Sequence, residues 1–336
     1  MVQQGTYGSG RQLIRERGDI LFPVASLFLP FSQGNIYHVR PANGNDGNYG
    51  DHPDSAYKTL AKAQAVATAN QNDIVLLYYE SNTAGSTTDY QSATLAWAKD
   101  NVHLIGVGAG PMIGQRARIA QLSSALTLGD LFSLSANNCL IQGIEIYQGA
   151  ANAAPTQTYN RAMVLTGMRN RIINCQISGI GDTSMDLAGS CSLEVDGDEN
   201  YFGDCYIGLD TYLRNGTATT EININGGTRN LFDRCIVNCF TSATTMKLIT
   251  WAAGSYHTAT WLRDCMLCAE QNRTGAAIPT GALLFNAAGQ VFMYGGGVFG
   301  PANISTVTNA NILVLSDQGL PTHADYPGIA VGQQTT

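Results

Sequence analysis

The chain has 336 residues, 44% of them hydrophobic and only 13% charged, with a net charge of -7 from 18 basic and 25 acidic side chains. Charge is thus about half the ~25% share of an ordinary globular chain, and Asn, Thr, Ser and Gly fill the gap. With no basic cluster beyond the run from Arg11 to Arg17, general nucleic-acid binding is excluded, and the 37 glycines lack the every-third spacing of collagen.

Residues 1–34 pair a Gly/Gln-rich start with Arg11, Arg15 and Arg17 and then an apolar strip of Ile20, Leu21, Phe22, Val24, Leu27, Phe28, Leu29 and Phe31. The strip is too short to span a bilayer, so no membrane insertion is expected. It has the apolarity of a signal-peptide core, but no small-x-small cleavage site follows it. Pro23 and Pro30 forbid a regular helix through it and blunt its use as a central strand. Left exposed it would be an aggregation hazard. The expectation is an extended docking arm that lies in a groove on another subunit.

Residues 35–80 read as strand, Gly/Asn/Asp loop, helix, strand. The helix has Ser55 as a cap candidate and Ala56, Leu60, Ala63, Val66 and Ala67 on one face. A strand from Asn72 to Tyr78 follows. Such a helix can close the open end of a stack of strands.

From residue 81 to 318 a repeat organises the chain. Asn170, Asn200, Asn230, Thr260 and Gln290 are spaced 30 apart. Two residues on come Ile172, Phe202, Phe232, Leu262 and Phe292. Five on come Cys175, Cys205, Cys235, Cys265 and Gly295, and seven on come Ile177, Ile207, Val237, Leu267 and Gly297. An earlier copy at Asn138–Ile144 fits with a two-residue slip. Before the copies lie further alternations, at Met163–Gly167, Leu193–Gly197, Ile222–Gly226 and Leu283–Ala287. Period-2 alternation with Gly/Asn turns and no helix of useful length describes a β-solenoid coil. The predicted class is all-β: a right-handed, single-stranded parallel β-helix with an N-terminal capping helix and room for roughly eight coils at ~4.8 Å each. Residues 319–336 form a Pro/Gly/Gln-rich tail.

Cys175, Cys205, Cys235 and Cys265 then stack as a core ladder. Rungs ~4.8 Å apart do not suit the ~3.8 Å Cβ separation of a disulfide, so free thiols are expected. Cys265 and Cys268 make a single CxxC, which without a second pair is weak evidence for zinc. No metal and no cofactor is expected.

The strings Tyr37-His-Val-Arg-Pro-Ala-Asn-Gly-Asn-Asp-Gly47, Ala56-Tyr-Lys-Thr-Leu-Ala-Lys-Ala63 and Asn72-Asp-Ile-Val75 resemble the N-terminal cap of pectate-lyase-like right-handed β-helix proteins. In those, the last element is usually Gly-Asp-x-Val. The resemblance covers residues 35–80. It implies fold more than function, because the superfamily includes polysaccharide lyases, glycoside hydrolases, epimerases, adhesins, phage tailspikes and capsid-decorating proteins.

Several motifs have the outline of a chemical site. Gly295-Gly-Gly-Val-Phe-Gly300 matches a nucleotide-loop pattern, but Pro301 and a β-rich segment follow where a helix would be needed. Asn43 to Asp54 could offer oxygens to calcium but lacks the features of an EF-hand, and reads as a turn. Glu194 and Asp196 are the catalytic candidates. Placed outward on one strand they would stand ~6.6 Å apart, near the spacing of an inverting glycosidase, with Asn223 and Asn225 on the next coil beside them. Any two outward acids on a strand share that spacing. The basic residue and calcium-binding acids of the superfamily's lyases cannot be placed, since residues 140–300 hold one lysine, Lys247, with no acid cluster in register beside it. The resemblance and the missing catalytic set together imply a structural or attachment protein of a bacteriophage virion, folded in the host cytoplasm. It would be a trimeric capsid-decorating or spike protein contacting other virion proteins and a cell-surface glycan. The alternative is a polysaccharide lyase or glycoside hydrolase, and a third is a cell-surface adhesin.

Overall fold

A computed structural model describes residues 34–79, 88–108, 116–125, 127–149, 159–214, 219–252, 256–271, 279–285, 288–305, 312–315 and 328–330. The expected docking arm and most of the tail lie outside them. The strands form three sheets, which we call first, second and third in the order the chain visits them, of ten, nine and seven strands. One coil shows the pattern: Arg171–Ile173 enters the first sheet, Gln176–Ser178 the second and Cys191–Val195 the third, and Tyr201–Gly203 returns to the first beside Arg171–Ile173. Neighbouring strands are parallel throughout the coils. The seven third-sheet strands, from Leu95–Trp97 to Leu283–Phe285, mark six closed turns among the described residues, and first-sheet strands continue beyond them at both ends.

Alternation along each strand sends one set of side chains into the column. Ile141, Ile172, Phe202, Phe232 and Leu262 stack from the first sheet, Ile146, Ile177, Ile207, Val237 and Leu267 from the second, and Phe132, Met163, Leu193, Ile222 and Ile249 from the third, all within one core. The rings of Phe202 and Phe232 lie 4.5 Å apart and 5° from parallel, as the rung spacing dictates. Each such burial contributes roughly 1.5–3 kcal/mol before ordering costs.

The corners are made by single residues in the left-handed region. Asn174, Asp204, Arg234 and Asp264 turn the chain from first to second sheet, and Asn138, Arg169, Glu199 and Arg229 from third to first. Just inside the latter corner, Asn170, Asn200 and Asn230 are buried. The Oδ1 atoms of Asn200 and Asn230 accept the backbone N–H of Asn170 and Asn200 at 2.8 and 2.9 Å, and the Nδ2 atoms donate to the carbonyls of Gly167 and Gly197. The amides therefore satisfy polar backbone that would otherwise be buried unpaired.

The repeat departs from the sequence reading at both ends. Thr260 pairs with Val291 and Leu262 with Met293, not with Gln290 and Phe292, because this coil is longer than 30 residues, and the irregularity between His257 and Thr260 takes back only part of the excess. Gln290 is exposed and Phe292 stands beside Trp261. In the earlier copy Ile141 pairs with Ile172, a slip of one residue instead of two. The third sheet also contains Lys247–Trp251, an alternation the sequence reading passed over.

The α-helix, Leu60–Val66, is capped by Thr59, whose hydroxyl accepts from Lys62 N–H at 3.2 Å. Ser55 ends a separate short 3-10 turn, Pro53–Ser55. Asp46 fixes the helix start by accepting from the N–H groups of Lys58 and Thr59 and from the Thr59 hydroxyl. Leu60 and Ala63 join the main core while Val66 is exposed. From the tail, Gly328–Ala330 pairs antiparallel with Gly297–Phe299. No described helix is long and apolar enough to cross a membrane.

Candidate functional site

On the third sheet, Leu193 and Val195 are in the core and Glu194 faces outward between them. It is not free. Arg161, one strand earlier, ion-pairs with Glu194 Oε1, and Asn223, one strand later, donates to Oε2 at 3.0 Å. The same guanidinium holds Asp130 through Nε at 2.6 Å and Nη2 at 3.0 Å, and its carbon lies 4.0 Å from the centre of the Tyr159 ring. Burial opposes the charge on Arg161, but the hydrogen bonds it donates to Asp130 and Glu194 outweigh it and raise its pKa. Asp196 lies beyond the strand, which ends at Val195, and its N–H donates to Leu165 O.

Beside Asn223 is a concavity of about 180 Å³ lined by Thr219, Thr220, Thr245, Lys247 and Thr250 among others. Lys247 donates to the carbonyls of Thr245 and Met246 at 3.2 and 3.3 Å, and burial lowers its pKa. Arg161, Asp130 and Lys247 were not singled out from sequence as members of one site. Their only signal is position in the alternation, one strand before Glu194 for Arg161, two before it for Asp130 and two after it for Lys247.

The outward face of the first sheet is different. Tyr201, Leu231, Trp261 and Phe292 fall in one row, and Gly203, Asp233, Arg263 and Tyr294 in the next. Trp261 and Phe292 rings are 6.2 Å apart and nearly parallel, and Trp261 and Tyr294 are 39% and 45% exposed. They line a concavity of about 350 Å³ with Leu231, Leu262 and Arg263. Asp233 is buried at its edge, gripped by Arg263 at 2.7 Å through both oxygens, by Arg234 at 2.8 Å and by the Tyr201 hydroxyl at 2.8 Å. The Arg263 hydrogen bonds come first among the causes that pull its pKa down to about 2.

Cys175, Cys205, Cys235 and Cys265 are buried with free thiols. Burial pushes Cys175 up to about 12. The Sγ atoms of Cys205, Cys235 and Cys265 each lie 3.4 Å from a carbonyl of the preceding coil, at Ile172, Phe202 and Phe232. Cys268 is half-buried, and no group of three metal-ligating side chains occurs among the described residues.

No family model and no curated protein matches the chain. Solved structures similar to it include the pectate lyase Pel9A, at 13% identity and a TM-score of 0.47 over 84% of this chain and 78% of that one. A rhamnogalacturonan lyase gives 12% and 0.48 over 84% and 86%. Tailspike protein 2 of the Escherichia coli O157:H7 bacteriophage CAB120 gives 12% and 0.35 over 78% and 45%. These neighbours are pectate-lyase-like parallel β-helix proteins.

Proposed function

We propose that the chain is a structural and attachment column of a bacteriophage virion, a right-handed β-helix whose helix Leu60–Val66 caps one end and whose Trp261 face contacts a surface glycan. The observation that carries the non-catalytic reading is the state of Glu194. Both its oxygens are engaged, by Arg161 and by Asn223, and its side chain is only 8% exposed, so it is held within a polar cluster and not presented to a substrate. The glycan contact is supported by the exposed rings of Trp261 and Tyr294 around a concavity with one guanidinium at its edge. Apolar ring faces with a few placed polar groups are how shallow sites hold a ligand that is itself part apolar. The virion setting and a trimeric state rest on the resemblance of residues 35–80.

A second reading, a polysaccharide lyase or hydrolase, draws on the Thr- and Lys-lined concavity beside Asn223. One experiment separates the two. The full chain is incubated with bacterial surface polysaccharides, and both retention and chain length are measured for the native protein, Trp261→Ala, and the double variant Glu194→Gln, Asp196→Asn. Retention without shortening, lost in Trp261→Ala and kept in the double variant, supports the attachment reading. Shortening that the folded double variant abolishes replaces it with the enzyme.

A further inference from the structure

The outward face of the first sheet begins with an apolar cluster. Ile74, Leu76, Ile105 and Leu140 are 3–8% exposed and pack with Ile36, Tyr78, Val107 and Ile173. These side chains alternate with Val75, Leu77 and Leu104 of the core, so they point away from the column. His38 and His103 stand in register with Leu76 and Ile74 and are equally buried. His103 Nδ1 accepts from Leu140 N–H at 3.0 Å, which leaves Nε2 buried with no hydrogen-bond partner. Burial pushes both imidazoles down to about 4. Yet no described helix or strand is stacked on this face. The described elements packed most closely against these strands are their own sheet neighbours, the helix, the Pro53–Ser55 turn and the second-sheet strand Ala117–Gln121, and the helix buries Leu60 and Ala63 in the main core instead.

We propose that residues 20–31 of the same chain lie across this outward face. The chain preceding the described residues ends at residue 33, next to Gly34 and the edge strand Ile36–Val39 of this sheet. The apolar cluster runs from that strand to Arg171–Ile173, four strand spacings or ~19 Å, which about six extended residues cross. The strip supplies twice that length, with Phe22, Leu27, Phe28 and Phe31 to set against the isoleucines. Pro23 and Pro30 cost nothing here, because a segment crossing a sheet face docks through side chains and adds no rung to the ladder. The cover is then supplied in cis, and the strip is not free to fill a groove on a partner.

The test places a benzophenone amino acid at position 28 of the full chain, and separately at position 22. Heavy- and light-isotope chains are expressed apart, refolded together from denaturant, irradiated and mapped by mass spectrometry, with circular dichroism confirming the fold. The expected result is crosslinks to the segments around Ile74, Ile105 or Leu140, joining light to light and heavy to heavy only. Mixed heavy–light crosslinks to the same segments would place the arm on a neighbouring copy and overturn the proposal. So would crosslinks to other surfaces, or none to the first sheet from either position.

Discussion

The first and third sheets are built by the same coils, yet their outward faces have opposite chemistry. The third sheet carries a threaded set of charges, Asp130, Arg161 and Glu194, closed by Asn223. The first carries isoleucines and leucines at one end and aromatic rings at the other. Inward positions in both are filled alike by large apolar side chains. The coil therefore constrains what faces in by volume and leaves what faces out open, so each face can acquire its own partner without disturbing the stack.

The most damaging way to break the comparison is to strike what the two faces share. Cys205→Asp puts a charge in the core ladder, at a cost of several kcal/mol. Circular dichroism and solubility should show loss of the fold; a soluble column with native ellipticity would mean that the thiols do not line the core. Next in size is Arg161→Ala, which leaves Asp130 and Glu194 facing each other without their cation. Losing the charge-assisted hydrogen bonds of such a partly buried set costs roughly 1.5–3 kcal/mol. In the same urea titration Trp261→Ala should cost under about 1 kcal/mol, as exposed side chains usually do. Equal losses in the two variants would erase the distinction between a structural face and a binding one.

A smaller effect is set by pH. Asp233 is held at about 2 by Arg263, below the ~3.9 of an unfolded aspartate. The folded state therefore binds fewer protons in that window. The stabilisation is complete above about pH 4 and is lost as pH falls toward 2. Asp233→Asn should flatten the stability profile between these values, and an unchanged slope would show that the Arg263 grip contributes nothing. The mildest probe is thiol labelling. Native protein should react promptly at Cys268 alone, and denatured protein at all eight cysteines. Fast native labelling of Cys175 or Cys235 would contradict their burial.

Much of the coil could be read from sequence because its rungs repeat in kind. Asn230 pairs with Thr260, Ile177 with Ile207 and Phe202 with Phe232, and each pair is 30 residues apart in the chain. The reading failed where a loop changed length. One extra residue before Val291 moved Gln290 to the surface while leaving the spacing in the sequence superficially intact. The site was less legible for a different reason. Arg161 reaches Glu194 diagonally, since its strand partner is Cys191 and that of Glu194 is Val164. Long side chains that cross rows are invisible to an argument from register alone.

The charged corners bear on how the stack finds its order. Identical rungs, such as Asn170, Asn200 and Asn230, would pair as well after a slip of one whole coil as before it. The corner residues would not. Arg169, Glu199 and Arg229 alternate in sign and are joined at 2.6 Å, and Arg234 stands between Asp204 and Asp264, bonded to the first at 2.8 Å. A chain that skipped a coil while folding would set Arg169 against Arg229, or Asp204 against Asp264, and like charges at that separation repel. The corners thus act as a proofreader of coil order: they add little to the finished column, but they penalise the misassembly to which a repetitive stack is most prone.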